Sequence, residues 1–293
     1  MKIWITGCAG FLGRRLARTF TDSGSEVVGL SRRSCADIAQ SVVVDLSRND
    51  AVQVIRETVA STGAPEVVIH AASKQPGSGS LSDFVRANVQ TSFNLLQGLS
   101  EYPPKQVIYT STLSVYGPGL SCPVSEGAPA VAPQSYPATK RWAEEVMQCW
   151  KGCQVTVFRM PSLYGQGQAD SFIDGLARLA VRGEPLELYS RGELVRDALH
   201  VSDIVSAIQS CINHPPSVQF SLMNLGCGRP VSTMEYAATL IEALGSSSQL
   251  IKTDRLASQH DLWADISLAR RTIGFEPTEL RQSLEAYANE LRA

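Results

Sequence analysis

Tyr136 and Lys140, in the stretch YPATK, are spaced so that a helix places both side chains on one face. Removing a hydride from an alcohol carbon requires a base for the hydroxyl proton, and the reverse reaction requires an acid. A nearby ammonium group stabilises a phenolate and lowers the pKa of a tyrosine from its ordinary value of about 10. The spacing therefore predicts Tyr136 as an acid–base group and Lys140 as its electrostatic partner. The alternative is a chance pair one helical turn apart.

Three glycines, Gly7, Gly10 and Gly13, lie at the junction of the first predicted strand and the first predicted helix. Gly7 allows a tight turn, Gly10 allows a pyrophosphate to approach the backbone, and Gly13 allows the helix to pack closely. The N–H groups and dipole of the helix N-terminus attract an anion. The segment predicts a dinucleotide site, although its spacing is GxxGxxG and not the common GxGxxG. The alternative is a purely structural turn.

The end of the second predicted strand carries Ser31, Arg32 and Arg33, where NAD-binding chains usually have an acidic residue. Two guanidinium groups favour a 2′-phosphate. We therefore predict a preference for NADP(H), with NAD(H) as the alternative. Asp45, at the end of the third predicted strand, is placed to accept a hydrogen bond from the adenine amino group.

The elements that must position these residues alternate between strand and helix. The strands are short and rich in Val and Ile on both faces, as in parallel sheets covered on both sides. Strands are predicted at 2–6, 26–31, 41–45, 66–72, 106–111 and 154–159, and helices at 11–22, 48–61, 80–99 and 136–151. This alternation predicts an α/β fold with a doubly wound parallel (Rossmann) sheet.

The pattern changes near residue 160, where glycine and proline become more frequent. We expect a dinucleotide-binding domain over 1–160, with 196–213 folding back onto it. A smaller mixed α/β substrate-binding domain is expected over 161–195 and 214–293. Its predicted elements are helices at 169–182, 203–213, 232–244 and 278–292 and strands near 186–189 and 195–200.

Composition narrows the class of protein. The 293 residues carry a net charge of −2, which gives no support for a nucleic-acid or anionic-membrane partner. No apolar run approaches the roughly 18 residues of a membrane span, and the N-terminus does not resemble a secretory signal. The seven cysteines are scattered without a CxxC pair, so no metal site is predicted. We expect a cytoplasmic protein with reduced thiols.

The glycine turn, with YTSTLSVYG (109–117) and YPATK (136–140), resembles the extended short-chain dehydrogenase/reductase family. More narrowly, the chain is similar to its nucleotide-sugar epimerase, dehydratase and reductase branch. The resemblance runs nearly end to end, through VVIHAAS (67–73), ANVQTSFNLL (87–96), FRMPSLYGQG (158–167), LVRDALHVSDIVSAI (194–208), MNLGCGRPVS (223–232) and ADISLARRTIGFEP (264–277).

The resemblance implies the catalytic set Thr112, Tyr136 and Lys140. Thr112 stands where the family has a Ser or Thr that binds the reacting oxygen, and Ser111 is the alternative. Lys140 also holds the nicotinamide ribose in the family, and Asn88 matches a position that supports the active-site backbone. The cofactor-binding positions implied in this way are Gly7, Gly10, Phe11, Leu12, Gly13, Ser31, Arg32, Arg33, Asp45, Leu46, Ala71, Ala72, Ser73, Asn88, Thr110, Ser111, Tyr136, Lys140 and Pro161.

On the substrate side, the resemblance implies Thr112, Ser162 and Arg196. Arg196 matches a basic residue that contacts the nucleotide diphosphate in relatives, and the alternative is a surface arginine beside Asp197. Ser162 replaces the asparagine that relatives usually carry. Trp263 lies near a place where they usually keep a basic residue. These departures leave open an altered pose or a substrate that is not a nucleotide sugar.

Leu113 and Ser114 follow Thr112, where sugar 4,6-dehydratases of the branch carry Asp and Glu, so a dehydratase is not expected. A 4-keto reductase and a 4-epimerase remain open, and a preference for NADPH slightly favours the reductase. The alternatives are a reductase of a non-sugar carbonyl compound and a non-catalytic NADP-binding regulator, although such regulators typically lose the Tyr–Lys pair.

Relatives often form homodimers through two long helices, which correspond here to 80–99 and 136–151. We name Leu95, Leu96, Trp142 and Met147 as candidates for such an interface, with the protein core as their alternative location.

Overall fold

The computed structural model describes residues 1–169 and 171–292. The chain divides into two compact units. The first consists of Met1–Gly117, Pro129–Arg159 and Ala207–Met223. The second consists of Pro118–Ala128 and the described residues of Met160–Ser206 and Asn224–Ala293.

A seven-stranded sheet forms the centre of the first unit, in the order β10-β6-β5-β4-β1-β2-β3. The strands β3, β2, β1, β4 and β5 pair in parallel. Their bounds are β1 Lys2–Thr6, β2 Glu26–Ser31, β3 Gln40–Val43, β4 Val67–His70, β5 Gln106–Thr112, β6 Gln154–Met160 and β10 Phe220–Asn224. The strand order reverses between β1 and β4, and parallel sheets bind ligands at the carboxyl edge of such a point.

The helices of the first unit are α1 Phe11–Asp22, α2 Ala51–Thr62, α3 Leu81–Phe84, α4 Thr91–Gly98 and α5 Ser135–Gln148. A π-helical turn, Val85–Gln90, joins α3 to α4. The core contains Trp4, Val28, Val68 and Val107, one from each of four adjacent strands. All seven residues of β5 are buried, as expected for a central strand covered on both faces.

In the second unit, β7 Ser162–Tyr164 pairs in parallel with β9 Ala198–His200, and β8 Leu186–Leu188 pairs with β11 Leu250–Lys252. Its helices are α6 Phe172–Val181, α8 Thr233–Leu244, α9 Ser267–Ile273 and α10 Leu280–Arg292. The boundary between the units falls inside α7, Val201–Asn213. The core of the second unit includes Tyr164, Ile173, Tyr236, Leu284 and Tyr287.

The predicted α/β class and the predicted long helices and strands are present, with ends shifted by a few residues. The helix expected from 169 begins at Phe172, and position 170 lies outside the described residues. Three short strands (β7, β10 and β11) and α9 have no counterpart in the sequence prediction. The first unit includes residues 214–223, which the expected domain bounds assigned to the substrate side, because β10 extends the large sheet beside β6. Within the described ranges, no helix is long and apolar enough to cross a membrane.

Candidate active site

The glycine turn connects β1 to α1. Gly7 has a φ of +70°, which side chains rarely adopt, and the Gly10 N–H donates to the Gly7 carbonyl at 2.8 Å. A Cβ atom at Gly13 would lie only 2.1 Å from that carbonyl oxygen. Phe11 and Leu12 form the first turn of α1, so backbone N–H groups and the positive end of the helix dipole meet the turn. This cradle, which Cβ atoms would obstruct, fits a dinucleotide pyrophosphate.

Ala71, Ala72 and Ser73 form the start of the loop that follows β4, the strand next to β1. The Ala72 N–H donates to the Thr6 hydroxyl at 3.1 Å, which ties this loop to the end of β1. A Cβ atom at Gly7 would lie 2.9 Å from Ala72 Cα. The glycine turn and this loop are therefore in direct contact at the switch point of the sheet.

Asn88 lies in the π-helical turn and is 1% exposed. Its Oδ1 accepts from the Lys74 N–H at 2.8 Å, and its Nδ2 donates to the Thr139 hydroxyl at 2.9 Å. Asn88 thus joins the loop after β4 to α5, within one turn of Tyr136. It thereby fixes the backbone of this loop, and a π-helical turn is a frequent feature of functional sites.

Tyr136 lies in the first turn of α5. Its ring meets that of Phe84 edge to face, with the centroids 6.4 Å apart. Burial raises the pKa of Tyr136 to about 12, and the side chain of Thr112, at the end of β5, lies close enough to lower it. The expected lowering of this pKa is therefore not found, because desolvation of the phenolate outweighs the groups that favour it.

Lys140 is 1% exposed and lies one turn beyond Tyr136 on α5. Its ammonium donates to the Thr110 carbonyl at 2.5 Å and lies 4.3 Å from the centre of the Tyr109 ring. Burial lowers the pKa of Lys140 to about 7, and the Glu144 carboxylate opposes this change. Near neutral pH this side chain can exist in both charge states.

Ser111 does not share the position of Thr112. Its hydroxyl donates to the Glu144 carboxylate at 2.5 Å, and both residues are 2% exposed. Glu144 also forms an ion pair with Arg159 of β6, through contacts of 3.0 and 2.7 Å. Glu144 and Arg159 were not predicted as site residues. The only signal in the sequence was the spacing of Glu144, which follows Lys140 by four residues, as Lys140 follows Tyr136.

The predicted adenosine end of the site lies beyond β2 and β3. Ser31 ends β2, and Arg32 and Arg33 follow it with exposed side chains. Asp45 lies two residues past β3 and accepts hydrogen bonds from the N–H and hydroxyl groups two residues further on, at 3.0 and 2.7 Å. Leu46 is buried and 4% exposed.

The remaining predicted positions belong to the second unit. Pro161 precedes β7, and Ser162 is its first residue. Arg196 is half-buried, and burial lowers the pKa of its guanidinium. Asp197 is buried and accepts backbone hydrogen bonds from Cys227 and Ala264 at 2.8 and 2.7 Å, so the alternative of a surface pair with Arg196 does not describe this site. Within the described residues, no group of three or more His, Cys, Asp or Glu side chains could hold a metal ion.

The fold and these contacts define a class of protein: an α/β chain with a glycine turn at the switch point of a parallel sheet and a Tyr–Lys pair on α5. The model of the "NAD dependent epimerase/dehydratase family" matches residues 3–226. The chain belongs to that family. The predictions of the family, of the α/β fold and of an NAD(P)-dependent enzyme are confirmed.

Relatives with assigned activities match most of the chain. A probable UDP-glucuronate 4-epimerase of Rhizobium meliloti is 28% identical, over 84% of this chain and 83% of its own length. The solved structure of MoeE5 in complex with UDP-glucose and NAD is 28% identical, with a TM-score of 0.83 over 100% of this chain and 99% of that chain. The UDP-glucose 4-epimerase of Thermotoga maritima, solved with UDP-glucose, is 22% identical with a TM-score of 0.87 over the same shares, which supports the fold.

Proposed function

We propose that this chain is a nucleotide-sugar 4-epimerase that inverts a carbinol centre by proton and hydride transfer. The observation that carries the proposal is the placement of Tyr136 near the side chain of Thr112 and one helical turn from buried Lys140. The similarity to proteins named as UDP-glucuronate and UDP-glucose 4-epimerases supports the choice of reaction. It does not support the slight preference for a reductase that the predicted use of NADPH suggested.

The residues of the chain divide the chemistry in a simple way. The glycine turn and Lys140 would hold the cofactor, which when bound would supply the hydride acceptor and donor. Tyr136 would take the proton from the sugar 4-hydroxyl and return it to the oxygen of the 4-keto group. Thr112 orients the reacting oxygen toward Tyr136. An epimerase must hold its cofactor through both transfers and let the sugar turn between them.

The family model supports NAD(H) as the cofactor. We further propose a preference for NADP(H), which depends on exposed Arg32 and Arg33 directly after β2. Two guanidinium groups at this position favour a 2′-phosphate over free ribose hydroxyls.

For the substrate, we propose UDP-glucose or UDP-glucuronate, with the second unit as the substrate-binding domain. Half-buried Arg196 is the group proposed for the diphosphate, because burial strengthens a guanidinium–phosphate contact. Ser162 is proposed to replace the asparagine contact of relatives with a hydroxyl group.

We also propose a cytoplasmic location and a homodimer. Phe93 of α4 and Trp142 of α5 expose large apolar side chains, at 47% and 44%. These two helices pack against each other, so a second copy could cover both residues at once. Leu95 and Met147, expected as candidates, are completely buried in the core and cannot form an interface.

Tyr136→Phe tests the proposal. The protein is incubated with UDP-glucose and UDP-glucuronate, and the C4-inverted products are measured by chromatography. We expect the variant to lose turnover by about a hundredfold to ten-thousandfold, because it has no group to move the hydroxyl proton. NAD⁺ and NADP⁺ should still raise its melting temperature as in the wild type. Normal turnover in this variant would exclude Tyr136 as the acid–base group.

A further inference from the structure

A buried ionic cluster follows the Tyr136 and Lys140 positions along α5. Glu144, 2% exposed, lies on the same face one turn beyond Lys140. Arg159 of β6, 4% exposed, meets both of its carboxylate oxygens, at 3.0 and 2.7 Å. Ser111 of β5 donates a third hydrogen bond at 2.5 Å. Two strands and a helix thus fix the position of this carboxylate.

Other polar groups face the cluster from each element packed on it. On α5, partly exposed Arg141 lies 3.9 Å from the Glu144 carboxylate. On the strands, Tyr109 faces the Lys140 ammonium, and His70 lies close enough to feel its charge. Burial and Lys140 lower the pKa of His70 to about 3, so this imidazole is neutral at physiological pH.

Tyr116 faces the guanidinium of Arg159, which lies 4.8 Å from the centre of its ring. The cluster therefore contains one carboxyl group, that of Glu144, and the ammonium of Lys140 is the group whose charge varies near neutral pH. Buried ion pairs of this kind are weak evidence for stability, because desolvation offsets their attraction. Stability therefore does not explain why this ion pair lies next to Tyr136 and Lys140, and we look for a role in the site.

We propose that Glu144 is a positioning residue for the acid–base pair: held by Arg159 and Ser111, it keeps the Lys140 ammonium charged one helical turn from Tyr136. This inference rests on the proposed function for its catalytic meaning, although the charge of Lys140 can be measured without substrate.

Opposing effects on Lys140 explain the need for such a residue. Burial lowers its pKa to about 7, and the Glu144 carboxylate raises it. Removing the anion leaves the desolvation, which favours the neutral amine. A neutral Lys140 provides no field to stabilise the Tyr136 phenolate.

The test is a titration of Lys140 in the full chain by NMR, with lysine isotopically labelled at Cε. Lys140→Met identifies the resonance. Glu144→Gln is expected to lower the titration midpoint by about one pH unit or more. The matched control is Glu145→Gln, the next residue on α5, which is exposed and pairs with Arg141 at 2.9 Å. It should leave the midpoint unchanged.

Glu144→Gln leaves Arg159 buried and unpaired, which can prevent folding. A double variant, Glu144→Gln with Arg159→Met, removes both charges and should also lower the midpoint. An unchanged midpoint in either folded variant overturns the proposal, whatever the chain catalyses.

Activity provides a second readout. The alkaline fall in turnover should move to lower pH in Glu144→Gln and stay in place in Glu145→Gln. If no nucleotide sugar is turned over by the wild type, the proposed function fails, while the NMR titration still decides the role of Glu144.

Discussion

Thr112 and Ser111 are neighbours in sequence, yet the alternation of a β-strand sends their hydroxyl groups to different partners. The Thr112 side chain lies close enough to Tyr136 to lower its pKa, and the Ser111 hydroxyl bonds to Glu144. The first contact bears on the reacting proton and the second on the buried carboxylate. The two residues therefore separate direct chemistry from support of the site.

Substitution of the two hydroxyls should show this separation. Thr112→Val removes the group that orients the reacting oxygen, so we expect turnover to fall about a hundredfold. It also removes the hydroxyl that accepts the Ser114 N–H at 3.2 Å, so the free energy of unfolding should fall by about 1 kcal/mol. Ser111→Ala takes a hydrogen bond from a buried carboxylate, so it should lower the free energy of unfolding by about 1–3 kcal/mol. Steady-state rates and denaturant unfolding measure both effects. Equal losses of turnover in the two variants would contradict the assignment.

Spacing within one element made part of this site predictable. Tyr136 and Lys140 lie one turn apart on α5, whereas Thr112 was placed by the family resemblance, which has a Ser or Thr four residues before Tyr116. The Glu144–Arg159 pair was not predictable, because it joins α5 to β6 and depends on β6 lying next to β5. The sequence does not state which strands are neighbours.

The same limit applies to the elements of the fold. Long buried strands such as β5 were predicted almost to the residue, because most positions are apolar or β-branched. The short edge strand β10 was missed, since its first three residues are only half-buried and its pattern is weak. The strands β7 and β11 have three residues each, too few for any periodicity to be recognised.

At the scale of one element, α1 depends on Gly13. A Cβ atom there would lie 2.1 Å from the Gly7 carbonyl oxygen, and backbone atoms cannot move aside as a flexible side chain can. We expect Gly13→Ala to reduce the free energy of unfolding by about 3 kcal/mol and to weaken cofactor binding. Differential scanning calorimetry with and without NAD⁺ measures both changes.

Gly175 provides the matched control on α6. No atom lies within 4 Å of a Cβ built at that residue. Gly175→Ala should therefore stabilise the protein by up to about 1 kcal/mol, since alanine is the better helix former. A Gly13→Ala variant as stable as the wild type would show that α1 does not need this close packing.

For the molecule as a whole, the buried charges of the first unit connect stability with pH. Below the pKa of Lys140, its ammonium and the Arg159 guanidinium face the single carboxylate of Glu144. Above that pKa the buried charges balance. The buried ammonium therefore destabilises the folded protein fully only at the lower pH.

The sign of the effect follows from proton binding. Lys140 has a pKa of about 7 in the folded chain, against 10.5 for an ordinary lysine, so between these values the unfolded chain binds more protons. Stability due to this group then rises with pH across the window and is lowest below about pH 7. Lys140→Met removes the titration, and its thioether side chain suits a buried site.

We therefore expect cofactor-free Lys140→Met to be more stable than the wild type at about pH 6. Its free energy of unfolding should be higher by about 1–3 kcal/mol, and its unfolding temperature should be higher as well. The advantage should narrow toward about pH 9.5, where the wild-type lysine is already neutral when folded. Lys105→Met is the control, because Lys105 is 80% exposed in its ion pair with Glu66. Thermal unfolding of the three proteins between these pH values measures the effect. If the stability difference between Lys140→Met and the wild type is the same at every pH, Lys140 does not titrate near neutral pH.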